Sequence, residues 1–207
     1  MDGVISLVEC GIPVQISCPI MKTNLDGYKE IKEWAAQYNV SVEYDYTLIG
    51  QYNGGNANLC YRLSEEEVER VILDELTSNA NYKSELMKEA AENHNKSQDD
   101  YICSVCNSSI CVAQSGNGFP CAGWQGYVLG NITESSLADI WYHSSKVDYL
   151  RGLKRKDFKE CENCQQRDYC TICMVRNFNE SLTGNPLEVS KYFCKVAEIK
   201  RNLIKIV

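Results

Sequence analysis

The chain has 207 residues, of which 44% are hydrophobic and 24% are charged, and its formal net charge is −7. This length and balance suit one sizeable core, or one core beside a cysteine-stapled lobe, and they exclude a disordered chain. The acidic charge argues against nucleic acid as a partner. No apolar run approaches the roughly 18 residues of a spanning helix, so we expect no membrane partner either.

The compartment follows from the start of the chain and from its cysteines. No signal peptide opens the sequence, so we expect a cytoplasmic protein. Twelve cysteines stay mostly reduced there, which makes metal ligation a better explanation for them than disulfides. A short basic run is predicted to be a solvated face and not a phosphate site; it comprises Arg151, Lys154, Arg155, Lys156 and Lys159.

The front of the chain alternates helix and strand patterns. In order, they are a helix (1–10) ended by Gly11, a strand (12–18), a helix (about 28–38), a strand (40–46), a loop (47–62) and a helix (64–76) opened by a capping box at Ser64. This order favours parallel βα units. The polar side of the strands, formed by Gln15, Ser17, Glu43 and Asp45, would face a wet lumen, a cleft, or simply solvent.

We therefore predict that residues 1–76 are the late part of a partial (β/α) barrel whose earlier strands are absent, which makes the chain look truncated. Residues 77–100 are predicted to be a helix and a polar linker at a domain boundary, followed by a cysteine-rich domain at 101–207. In that domain we expect a β-hairpin (109–112 with 118–121), a turn at Gly130 and Asn131, a short helix (135–143), mostly loop to about 185, and a C-terminal helix (189–206). The predicted class is α/β.

Nine of the cysteines lie beyond residue 100, in two groups. The first group is Cys103, Cys106, Cys111 and Cys121, and the second is Cys161, Cys164, Cys170, Cys173 and Cys194. A Cys-x2-Cys turn lets two thiolates converge on one centre, and zinc sites and iron–sulfur clusters both use it. The two such pairs in the second group are separated by only five residues, against roughly 15–20 in a zinc ribbon. The short gap suits neighbouring cysteines that serve different centres. His94 and His143 are expected to be ordinary surface residues.

The spacing Cys106-x9-Gly116-x4-Cys121, followed by Cys161-x2-Cys164-x5-Cys170-x2-Cys173 and a distant Cys194, resembles the SPASM domain. This domain is the C-terminal extension of radical SAM enzymes that mature peptides and proteins, sulfatase maturases among them. The segments 129–132 and 137–141 add to the resemblance, while the last pair is separated by two residues where the family has three. The resemblance covers residues 103–194, and residues 1–76 resemble, more weakly, the second half of the radical SAM barrel.

The resemblance implies two auxiliary [4Fe–4S] clusters. By position, the first would be bound by Cys106, Cys121, Cys173 and an upstream thiol, for which Cys103 is our choice and Cys111 the alternative. The second would be bound by Cys161, Cys164, Cys170 and Cys194. The remaining thiols, Cys10, Cys18 and Cys60, match nothing and are expected to be ordinary buried or surface residues.

One motif of the radical SAM family, the Cys-x3-Cys-x2-Cys of the catalytic cluster, occurs nowhere in these 207 residues. S-adenosylmethionine and a third [4Fe–4S] cluster are therefore expected only in a full-length enzyme, and the chain alone should be inactive. The implied partners are a peptide or protein substrate and a reductant such as flavodoxin or ferredoxin. The polar lumen and the 47–62 loop, with Tyr52 and Tyr61, could line the substrate cleft, although a structural loop explains them equally well.

Two other functions remain open at this point. The same thiols could hold zinc in an interaction domain, which would contain zinc and no iron. The chain could also be a stand-alone ferredoxin-like electron carrier, but such a carrier has no use for half a barrel.

Overall fold

The computed structural model describes residues 1–206. Over this range the front of the chain forms α1 (Asp2–Glu9), β1 (Gln15–Pro19), α2 (Tyr28–Ala36) and β2 (Ser41–Asp45). Strands β1 and β2 pair in parallel, with Gln15 opposite Ser41 and Pro19 opposite Asp45, so the predicted parallel βα unit is confirmed. Because side chains alternate along a strand, one face of this sheet turns Cys18 inward, while the opposite polar face, with Gln15, Ser17, Glu43 and Asp45, is exposed.

After a loop that ends in a 3₁₀ turn (Ala57–Tyr61), α3 (Glu65–Ser78) and α4 (Tyr82–His94) follow. The predicted capping box is present: Glu67 N donates to Ser64 Oγ (3.2 Å), and Ser64 N donates to Glu67 Oε2 (2.7 Å). These bonds satisfy two backbone donors at the start of α3, which the helix itself cannot do.

The first core lies under α3 and is closed by α8 (Lys191–Ile206), the last helix of the chain. From the front of the chain it takes Ile20, Leu25, Tyr28, Tyr46, Leu63, Val68, Val71, Ile72, Leu76 and Leu86, and from α8 it takes Val196, Leu203 and Ile204. Helix α8 packs along α3. The end of the chain therefore completes the core of its beginning.

The cysteine-rich part contains β3 (Cys111–Val112), β4 (Asn117–Phe119), β5 (Gly130–Asn131), α5 (Leu137–His143), α6 (Ser145–Gly152) and α7 (Met174–Glu180). The antiparallel pair β3–β4 confirms the predicted hairpin. The predicted turn at Gly130 and Asn131 is wrong, because these residues form β5 and pair with β4. The prediction of mostly loop to residue 185 missed α6 and α7, which occupy the smaller part of that stretch.

A second core holds this part together, and its largest fully buried side chains are those of Trp124 and Phe158. Helices α6 and α7 bury Val147, Leu150, Met174 and Val175 in it. Each of these helices has only a few apolar residues, so the sequence shows too short a stretch of helical periodicity to predict it. Packing against the rest of the protein, and not local helix propensity, stabilises such short helices.

Two sets of contacts join the front of the chain to the cysteine-rich part. The segment after α4 is tied to the 3₁₀ turn at Arg155–Asp157, where Lys156 N donates to Gln98 O (2.9 Å) and Arg155 N donates to Asp100 O (3.1 Å). Farther along, Arg62 forms a largely buried ion pair with Glu180 on α7. Within residues 1–206, no helix is both long and apolar enough to cross a membrane.

Candidate metal centres

The four cysteines implied for the first cluster, here the first thiol group, come from three separate segments. Cys103 and Cys106 lie in a tight turn, Cys121 follows β4, and Cys173 immediately precedes α7. Cys106 is fully buried and has a φ of 56°, which is uncommon for a residue with a side chain. Its N–H donates to Ser109 O (3.0 Å), which holds this conformation. The left-handed backbone conformation costs a residue with a side chain roughly 1–2 kcal/mol. The surrounding turn must offset this cost, and it thereby keeps the Cys106 side chain buried.

The electrostatics of these thiols show that they lie near one another. Burial raises the pKa of Cys106 to about 11; the charge of Arg151 opposes this shift, and the thiols of Cys103 and Cys121 add to it. Burial likewise raises the pKa of Cys103 and of Cys121, with a further contribution from Cys173 in both cases. The structure therefore brings Cys103, Cys106, Cys121 and Cys173 within electrostatic reach.

The four cysteines implied for the second cluster, here the second thiol group, come from two turns and α8. Cys161 ends a 3₁₀ turn (Lys159–Cys161), and Cys164 N donates back to Cys161 O (3.3 Å). Cys170 follows another 3₁₀ turn (Arg167–Tyr169), and Cys194 lies in the first turn of α8. These short turns allow cysteines that are close in sequence to converge from different directions.

Mutual repulsion is again evident among these four thiols. The pKa of Cys161 rises to about 12, first through burial and then through the charges of Cys170, Cys194 and Cys164. The pKa of Cys170 rises to about 11, through burial and then through Cys194 and Cys164, with Arg176 and Lys200 opposing. Thiolates so placed need a positive centre to stabilise them, because metal ligation requires deprotonated sulfur.

The second group surrounds a cavity of about 80 Å³, whose wall includes Cys161, Cys164, Cys170, Cys173 and Cys194. One water needs roughly 10–15 Å³ on the same scale, so this space exceeds a single ion. The cavity wall also carries four cationic side chains, those of Arg155, Arg167, Arg176 and Lys191, and one acidic side chain, Glu160. A positive lining fits an occupant with net negative charge.

Arg155 corrects one prediction. The basic run was expected to be solvated, and Lys156 and Lys159 are indeed exposed. Arg155 is only 5% exposed and lines the cavity of the second group. Arg155 lies three residues before Phe158, another buried residue, and this spacing gives the 3₁₀ turn an inward side that the run of charges conceals.

The spacing of the thiols bears on the kind of metal they could hold. Thiolates around one tetrahedral zinc ion lie ~3.8 Å apart, given Zn–S bonds of about 2.3 Å. Among residues 1–206, no three Cys, His, Asp or Glu side chains converge closely enough to hold a single metal ion. Each thiolate of a [4Fe–4S] cluster binds a different iron, so the four thiols of such a site lie farther apart than the ligands of one zinc ion.

The other singled-out residues lie elsewhere. Cys111 is on β3 opposite Phe119. Cys10 and Cys60 are exposed and Cys18 is buried. His94 is exposed and its Nδ1 lies 3.2 Å from Asp168 Oδ2, and His143 is exposed at the end of α5. Tyr52 and Tyr61 of the 47–62 loop are about half exposed.

A broad cleft of about 760 Å³ adjoins the second thiol group. Its wall includes polar strand residues of the front sheet, Gln15, Glu43 and Asp45, and also residues of α3, α4 and α8. The cleft and the thiol cavity share Cys170, Thr171, Arg176, Phe193 and Ala197. A molecule in the cleft would therefore lie beside the thiols of the second group.

Sequence reasoning missed the cations around the second group. Arg176 and Lys191 stand among unremarkable residues, and only the fold brings them to the cavity. The sequence contains one feature that could have indicated them. Residues 146–207 carry thirteen basic and eight acidic residues, a local positive excess in a chain of net charge −7.

Comparison with known proteins adds a family match and a set of structural relatives. Residues 103–166 match the model of the SPASM family, an iron–sulfur cluster-binding domain. The fold resembles that of the anaerobic sulfatase-maturating enzyme anSMEcpe, solved in its native form with bound AdoMet and the Cp18Cys peptide, with a TM-score of 0.62 and 17% identity. Structures of the same enzyme with AdoMet alone and with the Kp18Cys peptide give TM-scores of 0.61 and 0.57, both at 16% identity. No curated protein sequence matches the chain.

The extent of these matches defines what they show. Each alignment covers 99% of this chain but only 59–61% of the solved enzyme, and identities this low establish the fold and nothing more. The resemblance to radical SAM/SPASM proteins that the cysteine spacing predicts is confirmed, and the mixed α/β class with it. The family match ends before Cys170, Cys173 and Cys194.

Proposed function

We propose that this chain, whose residues 103–166 match a SPASM domain, binds two auxiliary [4Fe–4S] clusters and serves a radical SAM reaction that oxidatively modifies a peptide or protein. The proposal is supported by the neighbours of these thiols, which separate into two sets of four. Burial and other thiols of the same set raise the pKa of Cys103, Cys106 and Cys121 in the first set, and of Cys161, Cys170 and Cys194 in the second. These two sets match those implied by the sequence resemblance.

The first cluster would be held by Cys103, Cys106, Cys121 and Cys173. The electrostatic coupling of Cys103 to its three partners favours it over Cys111, which lies on β3. The second cluster would be held by Cys161, Cys164, Cys170 and Cys194. Cys173 would thus bind the first cluster, although it is close in sequence to the ligands of the second. This assignment accounts for the short gap between the two Cys-x2-Cys pairs.

Four thiolates on each cluster would leave no iron open to substrate. A cluster of this kind supplies one-electron transfer at a potential set by its charge and surroundings. The residues of this chain would supply the thiols, compensate their negative charge once they bind iron, and exclude water. We therefore propose electron transfer, and not direct binding of substrate, as the role of both centres.

The front of the chain suits the rest of such an enzyme. We propose that β1 and β2 belong to a partial (β/α) barrel within residues 1–76, and that 77–100 connects this barrel to the cluster domain at 101–207. The exposed polar face of β1 and β2 would line the substrate cleft. The solved relatives contain AdoMet and peptides, which supports a peptide substrate. S-adenosylmethionine and a third cluster would be bound by residues outside these 207, a small reductant such as flavodoxin or ferredoxin would supply electrons, and the setting would be the cytoplasm.

Metal analysis of the protein prepared without oxygen tests the proposal. We expect about eight iron and eight acid-labile sulfide per chain, since each cluster contains four of each. Cys173→Ala and Cys194→Ala should each lower the iron content to about four. Each variant should lose a different electron paramagnetic resonance (EPR) signal, because Cys173 would bind the first cluster and Cys194 the second.

Cys111→Ala and Cys60→Ala are matched controls that remove a thiol outside both groups, and they should keep eight iron. Stoichiometric zinc with no sulfide would instead establish the zinc-stabilised interaction domain. Retention of both EPR signals in Cys173→Ala would refute the assignment of that residue.

A further inference from the structure

The cavity of the second thiol group contains a buried positive charge for which the protein supplies no carboxylate partner. Arg155 is 5% exposed and lines the cavity together with Cys161, Cys164 and Cys170. Among residues 1–206, no carboxylate lies within 4 Å of its guanidinium. A guanidinium always carries its charge in proteins, and leaving it buried and unpaired is costly.

The other cations of the cavity are already engaged. Lys191 forms an ion pair with Glu160, and Arg167 Nη2 donates to Lys96 O (2.9 Å). Arg176 Nη2 donates to Thr47 Oγ1 (3.3 Å), and its guanidinium stacks over the ring of Phe193 (4.6 Å). Arg155 is the most deeply buried of the four cations, because Arg167 and Arg176 are partly exposed and Lys191 is exposed.

The surroundings of Arg155 make its charge harder to hold without an anion. Burial, and after it the charge of Arg167, lowers the pKa of Arg155, while Cys170 and Cys161 act in the opposite direction. Its backbone is fixed, because Arg155 N donates to Asp100 O and the residue opens the 3₁₀ turn at Arg155–Asp157. The side chain is therefore held at the thiol cavity by a rigid turn.

We propose that Arg155 is the principal counter-charge of the cluster held by Cys161, Cys164, Cys170 and Cys194, and that it raises the reduction potential of that cluster. This inference rests on the proposed function. A cluster with four thiolates has net negative charge and gains one further negative charge when it accepts an electron. A buried cation favours the more negative, reduced form. Arg155 is thus a positioning and tuning residue and makes no bond to iron.

The test is a reductive titration of the iron-loaded protein with dithionite, which donates the electron, followed by EPR. In Arg155→Met the ratio of oxidised to reduced second cluster at a given applied potential should rise at least tenfold. This corresponds to a shift of about −59 mV in the reduction potential of that cluster for one electron. The first cluster, held by Cys103, Cys106, Cys121 and Cys173, should keep its potential and serves as an internal reference. Arg155→Lys should recover most of the shift.

Lys156→Met is the matched control. It removes the same charge from the next residue, which is exposed and paired with Asp99, and should leave both potentials unchanged. If Arg155→Met keeps eight iron and an unchanged second potential, the inference is wrong. If Arg155→Met loses the second cluster, recovery in Arg155→Lys supports the need for positive charge, and continued loss in Arg155→Lys overturns it. A wild-type content of four iron refutes the proposed function and not this inference alone.

Discussion

The ion pair between Arg62 and Glu180 gives the sharpest test of how the two parts of the chain are joined. The residues are 118 positions apart, and their side chains are 10% and 11% exposed. Arg62 Nη1 donates to Glu180 Oε2 (3.2 Å), and Nη2 contacts Oε1. Glu180 also accepts from Ser190 Oγ (2.8 Å) and Gly50 N (3.3 Å).

Arg62 is held from several sides. Its Nε donates to Leu48 O (2.7 Å), and its guanidinium lies 4.4 Å from the ring centre of Tyr192 and 5.2 Å from that of Phe193. In Glu180→Ala the guanidinium would stay in this buried site without its carboxylate. Removing one partner of a buried pair costs about 3–5 kcal/mol. For a chain of this size, that corresponds to a fall in Tm of about 6–20 °C.

Thermal unfolding of the iron-loaded protein at a fixed scan rate, followed by circular dichroism, measures the effect. The double variant Arg62→Met/Glu180→Leu removes both charges and should recover at least half of the loss, because an apolar pair leaves no buried charge behind. Asp26→Asn, in an exposed pair with Arg70, is the control and should not change Tm measurably. A double variant no more stable than Glu180→Ala would show that the unpaired charge is not the source of the loss.

Two further results are expected. Ser64→Ala removes the cap of α3 and should cost about 1 kcal/mol, or about 2–4 °C in Tm, whereas Ser78→Ala at the other end of the helix should cost less; equal losses would contradict the capping role. Burial raises the pKa of Tyr44, Tyr82 and Tyr192 to about 12. The stability from these neutral phenols is complete below pH 10 and is lost as the pH rises through about 12. Ultraviolet titration should therefore show at least three tyrosines that ionise only above pH 11, and ionisation of every tyrosine near pH 10 in the folded protein would refute this.

Local signals in the sequence predicted much of the fold. The alternation in the two strands, the Ser64–Glu67 spacing and the hairpin pattern at 109–112 and 118–121 each reflect short-range geometry, and the corresponding elements are present. The two cysteine groups were predicted from spacing and family resemblance together. Their division between two clusters stays a prediction, supported by the coupling of the thiols.

The missed features depend on contacts between distant residues. Helix α6 has only Val147 and Leu150 to mark its inner side, and β5 is two residues long and exists because β4 lies beside it. The Arg62–Glu180 pair leaves no trace in either local segment. The inward position of Arg155 was hidden because the charged residues around it are solvated.

Helix α8 has one further consequence. Near its start it presents Cys194 to the second cavity, and farther along it covers the front core with Val196, Leu203 and Ile204. Transplanting residues 101–206 into another scaffold as a redox cassette would expose the apolar face of that helix to water along most of its length. The same excision would also expose the side of α3 that packs on α8, so neither piece would keep a complete core.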